Sequence, residues 1–303
     1  MIEKNKIGLS ILIPVYNYPI NVLWNSLVAV LQSFNNPYEI IFLDDCSTDV
    51  AIYKANKALV KNESNVVFEQ ADYNVGRATI RNRLAEKAQY SYLLFIDVDS
   101  KINNSNFLTS YWSNRNTAKV IVGGTHYSTC PNPSVSLRFY YGKAREEVLA
   151  SKRNIKPYDS LALNNVFIER QTFLEHKLDE SIKNYGHEDT KFGLELKEKN
   201  ISILHIDNSV EHIGLEENKV FLGKTIKGVE NFALLVQQGY AHDSKLYKTY
   251  FLLKRLYLLK LFNFLYSFTS KIISNNLISS RPSMVCYDVF KLYHFIKKMH
   301  LEQ

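Results

Sequence analysis

A chain of 303 residues, 46% hydrophobic and 22% charged, is ordinary for a globular protein with a sizeable core, built as one large α/β domain with an appendage or as two domains. Its three cysteines (Cys46, Cys130, Cys286) are odd in number and far from any CxxC spacing, which excludes a disulfide framework and a zinc site and fits a reducing cytoplasm. The net charge of +7 lies wholly in residues 241–303, where ten Lys/Arg face three Asp/Glu, so an acidic surface is expected to partner the tail and no nucleic acid the body.

The opening lysines run into "GLSILIPV", too short for a signal-peptide core and cut by Pro14, which predicts a first strand over 9–16. A helical pattern follows through "INVLWNSLVAVLQSF", then a strand at "YEIIFLDD" (38–45) and a helix at "DVAIYKANKALV". "NVVFEQ" (65–70), "RATIRNRLAEKAQ", "YLLFIDVD" and "KVIVGG" (119–124) continue the alternation. Strands and helices at this spacing indicate βαβ units and a mixed, mainly parallel sheet flanked by helices.

From 125 to 160 the pattern loosens into a loop, "THYSTCPNPS", and one helix, "VSLRFYYGKAREEVLAS". "LALNNVFIE" (161–169), "ISILHI" and "SVEHIG" read as strands, and "HEDTKFGLELKEK" (187–199) as a helix. After Gly239 no glycine occurs, and the rest is helical, with Pro282 opening the last helix.

Ligands of such sheets bind at the carboxyl ends of the strands, where Asp44, Asp45, Asp97 and Asp99 all fall. In "YLLFIDVDS" the pleat sends Asp97 and Asp99 to one side and Val98 back into the protein. Two such carboxylates suit a hard cation, Mg2+ or Mn2+, whose shell is completed by substrate phosphates, or they form a solvated acidic turn. In "DDCSTD", Asp45 could accept from a base imide or a ribose hydroxyl while Ser47 or Thr48 caps the next helix. Gly76 would let a ligand approach the helix carrying Arg77 and Arg81, which share a face and suit a diphosphate or simply solvent. Glu188 and Asp189 open a helix, as dipole-stabilising acids or with one as a general base. His212, and more weakly His205, is a satisfied structural histidine or a further metal ligand.

The ordered pieces "SILIPVYN", "FLDDCSTD", "NVGRATIRN", "FIDVDS" and "NYGHEDTKFG" resemble the family 2 glycosyltransferases with the GT-A fold, from about residue 9 to 214. The resemblance implies a catalytic domain over 1–215, and the basic, aromatic remainder, 216–303, reads as a helical region whose last 60-odd residues have no counterpart in that family. It also implies a nucleotide-sugar donor, usually of uridine, and a glycan or lipid-linked acceptor. Pro14, Tyr16 and Asp45 would line the base pocket, Arg81 or Arg77 would meet the diphosphate, and Asp97 would approach ribose and metal. Asp97, Asp99 and His212 would hold Mn2+ or Mg2+, and Asp189, with Glu188 beside it, would be the base of an inverting transfer. Asn164 and Asn165 are candidates for sugar hydroxyls. Cys46 departs from the glycine common in the family's "DDGS".

The stretch 245–273 carries Lys254, Arg255 and Lys260 inside an apolar run, which opposes a membrane span. Lys248, Arg255, Asn263 and Ser270 would form one polar stripe on a continuous amphipathic helix. That helix would lie on an anionic membrane at its inner face, pack on the catalytic domain, or join a homo-oligomer. A nucleotide-sugar scaffold without turnover and a sugar-nucleotide pyrophosphorylase stay open as alternatives; "IPVYNYP" lacks the glycine-rich loop the latter needs.

Overall fold

In the computed structural model, which describes residues 6–182, 186–240 and 244–301, the first half alternates as its sequence predicts. In order come β1 (Lys6–Val15), α1 (Asn21–Leu31), β2 (Tyr38–Asp44), α2 (Val50–Leu59), β3 (Val66–Gln70), α3 (Arg77–Lys87) and β4 (Tyr90–Ile96). Then follow β5 (Ser100–Lys101), α4 (Phe107–Asn114), β6 (Val120–Val122), β7 (Thr125–His126), α5 (Ser136–Arg145) and α6 (Ala150–Arg153). Next come β8 (Asn165–Glu169), α7 (Arg170–Glu175), α8 (Glu188–Glu198), β9 (Ile203–His205) and β10 (Val210–His212). The chain closes with α9 (Asn218–Gln237), α10 (Lys245–Arg255), α11 (Leu259–Leu277) and α12 (Met284–Leu301).

Seven strands form one sheet in the order β3-β2-β1-β4-β8-β6-β9. All its pairs are parallel except those of β8, which runs antiparallel to both β4 and β6. The central strands are near-continuous apolar runs because both faces are covered, and the polar pair inside them, Ser10 of β1 and Glu39 of β2, is satisfied by its own hydrogen bond (2.7 Å). Ile11, Ile13 and Phe42 pack on one face with Leu23 and Leu27 of α1, while Leu12, Ile41 and Leu43 pack on the other with Ile80 and Leu84 of α3. Each such fully buried side chain stabilises the fold by roughly 1.5–3 kcal/mol. Register pairs Val15 with Asp44 and Leu12 with Phe95, so β1, β2 and β4 deliver their carboxyl ends to one edge. A second, three-stranded sheet, β5-β10-β7, joins segments far apart in sequence.

The chain divides into two compact units: Met1–Tyr127, Glu146–Lys183 and Glu188–Gly214 in one, Ser128–Arg145, Asn184–His187 and Leu215–Gln303 in the other. The second is helical, and its interior includes Val229, Phe232, Phe295 and Ile296. A further cluster holds Leu137 of α5 with Phe221, Tyr266 and Tyr287, which is why 128–145 falls here rather than with the sheet.

Four expectations are corrected. The strand expected to run through Asp99 ends at Ile96, because Ser100 N–H turns back to the Asp97 carbonyl (3.1 Å). The helix expected over 135–151 stops at Arg145 and resumes as α6. The helix expected over 245–273 breaks at Tyr257, whose φ of +58° closes α10 with Leu258 N–H on the Leu253 carbonyl (2.9 Å). The polar stripe Lys248–Arg255–Asn263–Ser270 therefore does not lie on one helix. Pro282 stands two residues before α12 rather than inside it.

Candidate active site

The corner after β2 is held by its own acids. Asp44, wholly buried, accepts from Ser47 N–H (2.7 Å), Ser47 Oγ (2.6 Å) and Gln70 Nε2 (3.1 Å). The cap of α2 is Asp49, which accepts from the N–H groups of Ala51 and Ile52 (both 3.0 Å), and not Ser47 or Thr48. Those two hydroxyls instead accept from Asn17 N–H (2.8 Å) and Asn17 Nδ2 (2.9 Å). Cys46 sits in the left-handed region at φ +58°, where glycine is at ease.

Asp45 accepts from Val75 N–H (2.7 Å) and Gly76 N–H (3.0 Å), tying the strand corner to the start of α3. Burial pushes its carboxyl up, with the Asp44 charge adding and the two amides opposing. Gly76 has φ +87°, and a Cβ there would meet nothing within 4 Å, so backbone conformation demands the glycine and open space lies beside it. Tyr16 is 47% exposed past the end of β1, and Pro14, partly buried, pairs with Leu43.

α3 sends two arginines to the β4 turn. Arg81, almost wholly buried, donates from Nη2 to Asp97 Oδ1 (2.5 Å) and from Nη1 to the Arg77 carbonyl (3.1 Å). Arg77, half exposed, donates from Nε to Glu188 Oε1 (2.7 Å), with Nη2 at 3.9 Å from Asp97 Oδ2. Arg77 is thus the accessible cation, and Arg81 the one fixed beneath it.

Asp97 and Asp99 part company. Asp97 faces the arginines, whereas Asp99 Oδ1 stands 3.5 Å from His212 Nδ1. The small sheet makes that meeting: β5 begins right after Asp99 and pairs His212 with Ser100, and Ile213 N–H donates to the Asp99 carbonyl (2.9 Å). A Cβ on Gly214 would lie 2.4 Å from Asp99 Oδ2, so only glycine lets this carboxylate occupy its place. Tyr127 sets its ring edge against His212 (5.6 Å).

No group of three or more His, Cys, Asp or Glu able to hold a metal occurs among the described residues. The expected trio Asp97, Asp99 and His212 is therefore not assembled, because Arg81 and Arg77 claim Asp97. Asp99 and His212 do fit a divalent cation: a carboxylate oxygen and an imidazole nitrogen 3.5 Å apart are spaced much as two ligands each about 2.1 Å from one ion.

Glu188 and Asp189 begin α8. Burial by itself would raise Glu188, but Arg77 and Arg81 outweigh it and hold its carboxyl below the ordinary range. Asp189 accepts from Thr190 N–H (2.7 Å), and burial, with the Glu188 charge beside it, pushes its carboxyl up to about 6. Of the motif "NYGHEDTKFG", Asn184 and Tyr185 lie outside the described residues.

Three other candidates hydrogen-bond to neighbouring elements. Asn165 accepts from Tyr111 Oη (2.6 Å) and donates to the Gly124 and Asn208 carbonyls (both 2.9 Å), so both its N–H donors are taken, and it is wholly buried. Asn164 donates to Thr125 Oγ1 (2.8 Å), while its Oδ1 has no partner among the described residues. His205 accepts at Nδ1 from Arg153 Nη1 (2.7 Å), since a guanidinium only donates, and so gives its Nε2 proton to the Pro157 carbonyl (2.9 Å).

Sequence reasoning passed over Tyr18. Burial pushes its hydroxyl up to about 12, and the negative charge of Asp99 adds to the effect. Its place just past β1 was the available signal.

Residues 10–154 match the family described as Glycosyl transferase family 2. The chain is 35% identical over 118 residues to a poly(ribitol-phosphate) beta-glucosyltransferase of Bacillus spizizenii, covering 38% of this chain and 18% of that protein. It thus spans less than a fifth of that relative's length. Among solved structures, the mannosyltransferase PcManGT from Pyrobaculum calidifontis in complex with GDP-Man and Mn2+ superposes with a TM-score of 0.53 at 13% identity, over 77% of this chain and 65% of the other. S. aureus TarS 1-349 in complex with UDP gives 0.50 at 16% identity, over 98% and 91%. The resemblance to family 2 glycosyltransferases is borne out, and the fold is that of the GT-A glycosyltransferases.

Proposed function

From a GT-A fold carrying a family 2 segment, we propose that this chain is an inverting glycosyltransferase. It moves a sugar from a nucleotide donor, by preference a UDP-sugar, to a hydroxyl of a glycan or lipid-linked acceptor in cell-surface polysaccharide synthesis. The observation that carries the reading is the acid pair on α8: Glu188 locked to Arg77 and ionised, Asp189 beside it raised to about 6. A base of that acidity is mostly ionised at neutral pH yet still holds a proton well. The similar glycosyltransferase supports the reaction class, and the UDP-bound neighbour supports the donor.

In this reading Asp45 and Tyr16 flank the base, and Arg77 meets the diphosphate from the half-exposed end of α3. Arg81 positions Asp97 toward the ribose. Asp189 takes the proton from the acceptor O–H as that oxygen bonds the anomeric carbon. The bond from that carbon to the phosphate oxygen breaks on the opposite face, and the nucleoside diphosphate leaves with the electron pair. A divalent cation, Mn2+ or Mg2+, would be held by Asp99 and His212 and would neutralise charge on the leaving diphosphate. Peripheral membrane association through 241–303 belongs to the same reading.

Hydrolysis of UDP-sugar with Mn2+ present tests the proposal. It should be abolished in Asp99→Ala, and acceptor-dependent transfer should be lost in Asp189→Asn. Transfer that survives Asp189→Asn unchanged would remove Asp189 as the base.

A further inference from the structure

α11 has two apolar faces. Leu259, Tyr266, Ile273 and Leu277 are buried within the helical unit. On the opposite side Leu261, Phe264, Leu265, Phe268 and Ile272 recur at one-stripe helical spacing and stand exposed, Phe268 by 69% and Ile272 by 70%. At about 100° per residue, Lys260 and Lys271 border that stripe beside Phe264. Just before it, the break between α10 and α11 leaves Tyr257 93% exposed. A protein that meets only water rarely keeps so continuous an aromatic and aliphatic face.

The charge beside this face is of one sign. An open groove of about 1130 Å³ is lined by Lys254, Arg255, Lys260 and Lys297, with the rings of Tyr257 and Tyr293. None of the four cations has an acidic partner within 4 Å among the described residues. Asp288 is the single carboxylate in 244–301, against ten Lys/Arg, and it already binds Arg145 (2.8 Å) and Lys245 (3.8 Å). The occupant of this surface must therefore be apolar within and anionic at its border. A second copy of the chain meeting this face with the same face would bring cations against cations. No helix among the described residues is long and apolar enough to cross a membrane, so a bilayer would be met at its surface.

We infer that α10 and α11 dock on an anionic lipid bilayer. Phe264, Phe268 and Ile272 enter the boundary of the acyl chains, and the groove of Lys254, Arg255, Lys260 and Lys297 takes headgroup phosphates. The inference rests on the peripheral membrane association proposed above and assigns it a face and a lipid charge.

Co-sedimentation of the full chain with vesicles decides it. Vesicles of phosphatidylcholine and phosphatidylglycerol in equal parts should bind at least about tenfold more tightly than phosphatidylcholine alone, and added salt should erode the difference. Phe264→Ser with Phe268→Ser should lower binding about tenfold, and Lys254→Glu with Lys260→Glu should abolish the preference for anionic lipid. Equal binding to neutral vesicles, or none to either, overturns the inference. So does serine substitution that leaves vesicle binding intact while altering the sedimentation velocity of the protein alone, the mark of a dimer face. If a substituted chain fails to melt like its parent, the lipid and salt comparison on the parent still decides. UDP-sugar hydrolysis in the same preparations separates the two proposals: hydrolysis without vesicle binding removes the docking alone, and vesicle binding without hydrolysis removes the enzyme alone.

Discussion

Glu188 and Asp189 are chain neighbours on the first turn of α8, yet the protein sets their acidities in opposite directions. Burial acts on both, but the guanidinium of Arg77 bonds Glu188 at 2.7 Å, and the negative charge so fixed makes ionising Asp189 harder. Two carboxylates in one place thereby take two different acidities.

A pH dependence follows for Asp189. As the proposed base it must be ionised, so kcat/KM should climb between about pH 5 and 7, with a midpoint near 6, and then level. Stability runs the other way. An acid whose folded value is raised contributes stability fully below its ordinary value near 3.8, and loses it as pH rises through about 6. Asp189→Asn should therefore unfold at higher denaturant than the parent at pH 8, by up to about 2–3 kcal/mol, and not at pH 4. Equal stabilisation at both pH values would show that charge is not the cause.

Glu188→Gln removes the charge that raises Asp189 while keeping an oxygen for Arg77. The acidic limb of the rate profile should shift to lower pH in this variant, as read from initial rates across pH. An unmoved limb would mean that Asp189 owes its acidity to burial alone.

Gly214→Ala would drive a methyl group into Asp99, whose Oδ2 lies 2.4 Å from the built Cβ. The position is backbone-tolerant, since its φ is not in the left-handed region, so the cost falls on the carboxylate's placement. The expected outcome is at least about a tenfold loss of Mn2+ affinity by calorimetry, with the far-ultraviolet spectrum unchanged. Full retention of Mn2+ binding would detach Asp99 from the cation.

Cys46→Gly should stabilise the protein. A left-handed non-glycine residue costs about 1–2 kcal/mol, and glycine's greater unfolded freedom offsets roughly 0.4–1 of that, leaving a gain of up to about 1.6 kcal/mol. Urea midpoints of the two proteins measure it. A lower midpoint for the glycine variant would mean that the Cys46 Sγ contact with the Asp72 carbonyl (3.8 Å) matters more than the strain.

What the sequence determined alone is what short-range chemistry dictates. Apolar runs alternating with helical periods require a mainly parallel sheet, and the acids after β2 and β4 had to emerge at its ligand edge because a strand's end is set within a few residues. Tertiary structure decided how those acids divide. Asp97 went to Arg81 on α3, and Asp99 went to His212, more than a hundred residues later, through a two-residue strand with no period of its own. It also placed Arg77 on Glu188 across 111 residues, and with that set the acidity of Asp189. Even the break at Tyr257 carried no glycine to announce it. Periodicity is a property of neighbours along the chain, whereas pairing, burial and the field at a carboxylate belong to groups that meet only once the chain has folded.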